Sequence, residues 1–158
     1  MRAFQIFAAM SNERVADILK AMGEESPGIL MQAVQVAAAT MNARPAYLNK
    51  LPFDKKATAI RRALARVTAN EIAEEILAVY FLQVRKEMLA EWLDALGLEH
   101  EEGILKQGNP GQPPEEGLRA TIKSFLAGDG PEDRLLLLQT FGSQNIIDWP
   151  VLDEVLET

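Results

Sequence analysis

The chain has 158 residues, of which 48% are hydrophobic, 25% charged and 6% aromatic, with a formal net charge of -7. That apolar fraction supports a packed core and excludes wholesale disorder, and the length suits one ordinary domain, 1–158. With no cysteine and only His100, disulfides, thiol chemistry, Cys-ligated zinc, iron–sulfur clusters and any site needing two histidines are excluded within one chain.

Phe4 to Met10 is an apolar run of seven behind Arg2, at the short limit of a signal-peptide core. It reads instead as the start of a helix, because apolar residues continue at 4, 7, 8, 15, 18, 19 and 22, the rhythm of one helix face. Gly23 is the expected stop. Ser26 and Pro27 supply an N-cap and a first-turn proline for a second helix to about Asn42. Its alanines (Ala33, Ala37, Ala38, Ala39) permit close approach of a neighbouring helix. Pro45 and Pro52 punctuate a short helical piece near Ala46–Lys50, and Asp54 caps the next helix, about 55–67. Thr68 and Glu71 have capping-box spacing and open a long helix, about 69–96, ended by Gly97. Its middle, Ile76 to Leu82, is apolar all round, which predicts the buried centre of the domain.

The stretch 106–117 (KQGNPGQPPEEG) holds three prolines and three glycines. It reads as an extended loop before a C-terminal portion, 118–158. Helices follow near 114–127, 131–141 and 149–157. No stretch alternates with strand-like composition. The expected fold class is all-α, a compact multi-helix bundle around the long helix 69–96.

Residues 7–23 align without gaps on 81–97 with six identities in 17 positions, and Gly28-Ile29-Leu30 then matches Gly103-Ile104-Leu105. A weaker echo pairs 59–65 with 121–127. The expectation is a pseudo-repeat, 7–30 over 81–105, giving two related helical halves. It also predicts that the first helix runs unbroken through Ser11, the counterpart of Arg85.

Charge is unevenly placed. Residues 44–66 hold seven Lys and Arg against Asp54 alone, a local +6, and the remainder carries -13. On the helix 55–67, Lys55, Arg62 and Arg66 fall within about 20° of one line at 100° per residue. That row is either a solvated face or a docking face for an acidic protein. Nucleic acid is disfavoured, since neither an aromatic stacking platform nor a glycine clamp accompanies the row. Arg85 falls in the apolar stripe of Phe81, Leu82, Leu89, Trp92 and Leu96, where a guanidinium needs a carboxylate, a carbonyl array or water. Arg85 therefore marks a structural ion pair or a side chain reaching solvent at the bundle edge, or else an anchor for an anionic ligand or partner, and its edge with Trp92 is a candidate working surface. His100, among acidic neighbours past Gly97, reads as a solvated loop residue or a pH-sensitive cap.

No Glu-x-x-His, phosphate loop, calcium loop or activated serine occurs, so no cofactor or metal is implied and no catalytic residue is assigned. No run approaches the 18 or more apolar residues of a membrane span, and a soluble, cytoplasmic location is the expectation. Functionally the chain reads as a non-catalytic helical interaction or adaptor protein. Its partner is another protein or a second copy in a homodimer. The alternative is a small-molecule (anionic ligand) binding protein or enzyme with a pocket between the halves, Arg85 within it.

Overall fold

The computed structural model of the chain describes residues 1–144 and 146–157. Arg2–Val84 form one compact unit, and the chain from Arg85 onward forms a second. Both are helical; among the described residues the sole sheet is a hairpin of two-residue strands. The all-α class is therefore what the structure shows. No helix among the described residues is long and apolar enough to cross a membrane.

In the first unit the chain runs through α1 (Ala3–Ala9), α2 (Asn12–Glu25), α3 (Pro27–Thr40), α4 (Pro45–Asn49), α5 (Phe53–Leu64) and α6 (Asn70–Val79). A 3-10 turn, Val67–Ala69, leads into α6, and a π turn, Tyr80–Val84, follows it. Helix α5 packs on α2 and α3, and α1 packs on α5 and α6. Phe7, Ile18, Leu19, Ile60, Leu64 and Ile76 are buried in this core. Ala33, Ala37 and Ala38 of α3 are buried, as are Ala57 and Ala63 of α5, so two packed helices present small side chains; Ala39 is exposed.

The first helix does not run through Ser11. Met10 is extended, and the Ser11 side chain accepts a hydrogen bond from the Arg14 backbone N–H at 3.1 Å, so a serine N-cap opens α2 at the break. Nor does Gly23 stop a helix: α2 continues to Glu25. A Cβ at Gly23 would lie 3.0 Å from Leu30 Cδ2, so this glycine serves the approach of α3. Asp54 lies in the first turn of α5, not at its cap, and no capping box forms at Thr68. Asn70 is used instead: it accepts from the Phe4 N–H at 3.1 Å and donates to Glu74 Oε1 at 2.9 Å, which ties α1 to α6.

The expected continuous helix 69–96 is interrupted. After α6 the π turn places Tyr80 and Phe81 both in the interior, edge to face at 5.1 Å. Arg85 then leaves helical geometry (φ -113, ψ 39) before α7 (Lys86–Ala95) begins. The stretch Ile76 to Leu82 is largely buried, as its composition requires.

The second unit holds α7, strands β1 (His100–Glu101) and β2 (Ile104–Leu105), and helices α8 (Glu115–Leu126), α9 (Pro131–Ser143) and α10 (Pro150–Glu157). Gly97, at φ 72, ends α7 as expected. Helix α10 packs on α8 and α9. A chain of rings crosses this core: Trp92 to Phe125 at 5.1 Å, Trp92 to Phe141 at 5.8 Å, and Phe141 to Trp149 at 5.1 Å. The loop from Lys106 is pinned to it, since Trp149 Nε1–H donates to the buried Pro110 carbonyl at 3.0 Å. Gln112 Oε1 likewise accepts from the Val151 N–H at 2.9 Å.

The pseudo-repeat is not confirmed. Ser11 and Arg85, equivalent in the alignment, each immediately precede a helix. Beyond them the copies part: α2 passes Gly23, whereas α7 ends before Gly97. Gly28-Ile29-Leu30 lies in α3, but Gly103-Ile104-Leu105 lies in the hairpin.

Candidate interaction surface

The basic stretch 44–66 spans α4, α5 and their flanks. The sequence places Lys55 and Arg62 seven residues apart on α5, which is two helical turns and one face. Both are exposed. Arg66 is exposed too, but α5 ends at Leu64 and Arg66 is extended (φ -94, ψ 143). The single helical line of three cations is therefore two on the helix and one beyond its end. Arg44 and Lys50, flanking α4, are also exposed. Among the described residues none of these five cations makes an ion pair.

Two aromatic residues on this surface escaped the sequence reading. Tyr47 on α4 is 54% exposed and Phe53 at the start of α5 is 38% exposed. Exposed aromatic rings therefore stand in the same stretch as the cation row. Lys56 Nζ lies over the Phe53 ring at 5.7 Å and reaches Asn49 Oδ1 at 3.4 Å, so one face of that ring is already covered by a cation. The signal was present: each aromatic stands within three residues of a lysine in a proline-punctuated stretch.

The seventh cation of the stretch, Arg61, has an internal role. Its Nε–H donates to the Met10 carbonyl at 2.7 Å, Nη2 to the Ala8 carbonyl at 2.8 Å and Nη1 to Asn12 Oδ1 at 3.3 Å. It holds the free carbonyls where α1 ends, and so helps define the break before α2.

Arg85 is half exposed, and its Nε lies 2.6 Å from Asp133 Oδ2, whose carboxylate is buried in the first turn of α9. The next residue, Arg134, is buried and pairs with Glu91 at 2.9 Å. Arg134 also donates to the Asp129 carbonyl at 2.7 Å and the Phe125 carbonyl at 3.1 Å, with its guanidinium 4.7 Å from the Phe125 ring centre. A Cβ at Gly128 would run into this guanidinium. Asp133 and Arg134 therefore tie the start of α9 to α7 and to the end of α8, and Arg85 is one member of that internal network.

Trp92 is fully buried in the ring chain, so Arg85 and Trp92 do not form a common exposed edge. His100 is held on both sides: Nδ1 accepts the Gly103 N–H at 3.2 Å, and Nε2 meets Asp94 Oδ1 at 2.8 Å. With Nδ1 accepting, the ring proton of the neutral imidazole is on Nε2 and points to Asp94. Arg119 bridges Glu115 at 3.1 Å and Glu154 at 2.9 Å, and the hydrogen bonds from Glu115 and then Glu154 raise its pKa above the ordinary arginine value.

Among the described residues no group of three or more His, Asp or Glu side chains is placed to hold a metal ion. A shallow groove of about 310 Å³ runs beside α7 and α8, lined by Glu91, Ala95, Ala120, Thr121, Ser124 and Phe125. Comparison with protein-family models, with curated proteins and with solved structures finds no match to this chain.

Proposed function

We propose that the chain is a non-catalytic interaction module that binds an acidic protein surface through the 44–66 face of its first unit. One observation carries this reading: Arg44, Lys50, Lys55, Arg62 and Arg66 are exposed and unpaired among the described residues, in the same stretch as exposed Tyr47 and Phe53. The other prominent cations, Arg61, Arg85, Arg119 and Arg134, are each engaged by carbonyls or carboxylates of the same chain. A surface that keeps cations solvated beside apolar rings offers both long-range attraction and contact area to an acidic partner. The net charge of -7 weighs against a polyanion as long as a nucleic acid, because the rest of the chain repels it.

Retention on immobilised polyglutamate tests the reading. The wild-type chain should be retained at low salt and released as screening shortens from about 10 Å at 0.1 M to about 3 Å at 1 M. Reversing Lys55, Arg62 and Arg66 to Glu should cut retention about tenfold or more while stability stays within about 0.5 kcal/mol. Lys20→Glu, an exposed cation outside the face, should have little effect. Equal retention of the triple variant and the wild type would refute the assignment.

A further inference from the structure

Resting on that reading, we propose that the acidic partner is a second copy of this chain, whose hairpin His100–Leu105 docks on the basic 44–66 face. Charge separation between the two units is the first ground. Arg2–Val84 carries ten Lys and Arg against eight Asp and Glu, while the chain from Arg85 carries six against fifteen, a net +2 and a net -9. Each copy therefore brings both halves of a complementary pair. Two copies of net charge -7 repel at long range, so the complementary surfaces attract only once they are within about a Debye length, ~10 Å at 0.1 M salt.

The hairpin is the second ground. Its turn residues Glu102 and Gly103 have φ 53 and φ 90, the left-handed pair of a type I′ turn. Glutamate is a poor residue for that first position, where Asn or Asp is the ordinary choice. A carboxylate therefore stands at the tip, at a position that local backbone preference does not favour for glutamate. Glu99, Glu101 and Glu102 are exposed, and Ile104, paired across from Glu101, is 66% exposed. This is the largest exposure among the large hydrophobic residues of the described chain. His100 fixes the hairpin from beneath, through Gly103 on one side and Asp94 on the other, so little order is lost on docking. An apolar side chain flanked by carboxylates on the hairpin matches Tyr47 and Phe53 flanked by Lys50, Lys55 and Lys56 on the other surface.

A charge-exchange experiment on the full chain tests this. Sedimentation equilibrium of the wild type should show mass rising with concentration at low salt and falling back to the monomer at high salt. Lys55→Glu/Arg62→Glu places acid against acid, and Glu101→Lys/Glu102→Lys places base against base. Each double variant alone should associate about tenfold more weakly or worse. Mixed in equal amounts they should associate again, because each reversed surface then meets its complement. Circular dichroism and urea midpoints confirm that both variants fold. A wild type that stays monomeric, or a mixture that does not recover association, overturns the proposal. If that monomer is still retained on polyglutamate through Lys55 and Arg62, the module reading stands and another acidic protein is its partner. If it binds single-stranded RNA through those residues and ignores polyglutamate, both readings fall.

Discussion

Arginine carries several distinct jobs in this chain, and the difference lies in what surrounds each guanidinium. Arg61 and Arg134 each turn several N–H donors onto backbone carbonyls at a helix end, where four carbonyls lack intrahelical partners. Arg62, one residue from Arg61, faces solvent. Periodicity separates these neighbours onto different sides of α5, but it does not say that Arg61 will find the end of α1, fifty-odd residues earlier. The two tryptophans make the same point and yield a prediction. Both are buried, yet Trp149 donates its indole N–H to Pro110, whereas Trp92 Nε1 has no partner among the described residues. Trp→Phe removes similar volume at each position. Trp149→Phe also strands a buried carbonyl, so it should cost about 1–2 kcal/mol more than Trp92→Phe. Urea unfolding of the two variants measures this; equal losses would mean that the Pro110 bond contributes nothing.

At the scale of elements, helix existence was legible and helix continuity was not. Each segment with a 3.6-residue rhythm is helical, and α8, α9 and α10 begin and end within a few residues of their expected bounds. Continuity failed at Met10–Ser11 and again at Tyr80–Arg85, where Ser11 caps a new helix and a π turn inserts two adjacent rings into one core. Ends set by backbone conformation behaved otherwise. Gly97 ends α7 at φ 72, with the Leu98 N–H bonded to the Leu93 carbonyl and the Gly97 N–H to Asp94. Asn42 does the same for α3 at φ 55, through Ala43 to Ala38 and Asn42 to Ala39. Both are Schellman motifs with a left-handed residue. Asn42→Ala should therefore destabilise by about 1 kcal/mol, and Asn42→Gly should not. Gly97→Ala should lose a similar amount, since a Cβ there meets nothing within 4 Å and the cost is backbone strain alone. An unchanged urea midpoint in Asn42→Ala would show that this left-handed turn is not strained.

For the whole molecule, each unit closes its own core, one around Phe7, Ile18, Leu64 and Ile76, the other around Trp92, Phe125, Phe141 and Trp149. Residues 2–84 expressed alone should be helical and unfold in one cooperative urea transition, although a unit of that size is marginal. A gradual, non-cooperative loss of ellipticity would show that this core does not suffice. The stretch Ile76 to Leu82 is largely buried in its unit, and in the other unit α9 buries Leu136, Leu137 and Leu138 behind the buried Asp133 and Arg134.

What the sequence determined by itself is the all-α class, the order of most helices, the reaction classes closed by its missing cysteines, and the concentration of positive charge in 44–66. These follow from local periodicity, turn chemistry and composition, each read within a window of a few residues. Tertiary structure decided which cations are free and which are buried partners, that Trp92 lies inside, that Tyr47 and Phe53 lie outside, and where the long helices break. Those outcomes depend on residues far apart in the chain, such as Arg61 with Ala8 and Trp149 with Pro110. A guanidinium or an indole is amphipathic enough to serve on either side of a surface until its neighbours are known.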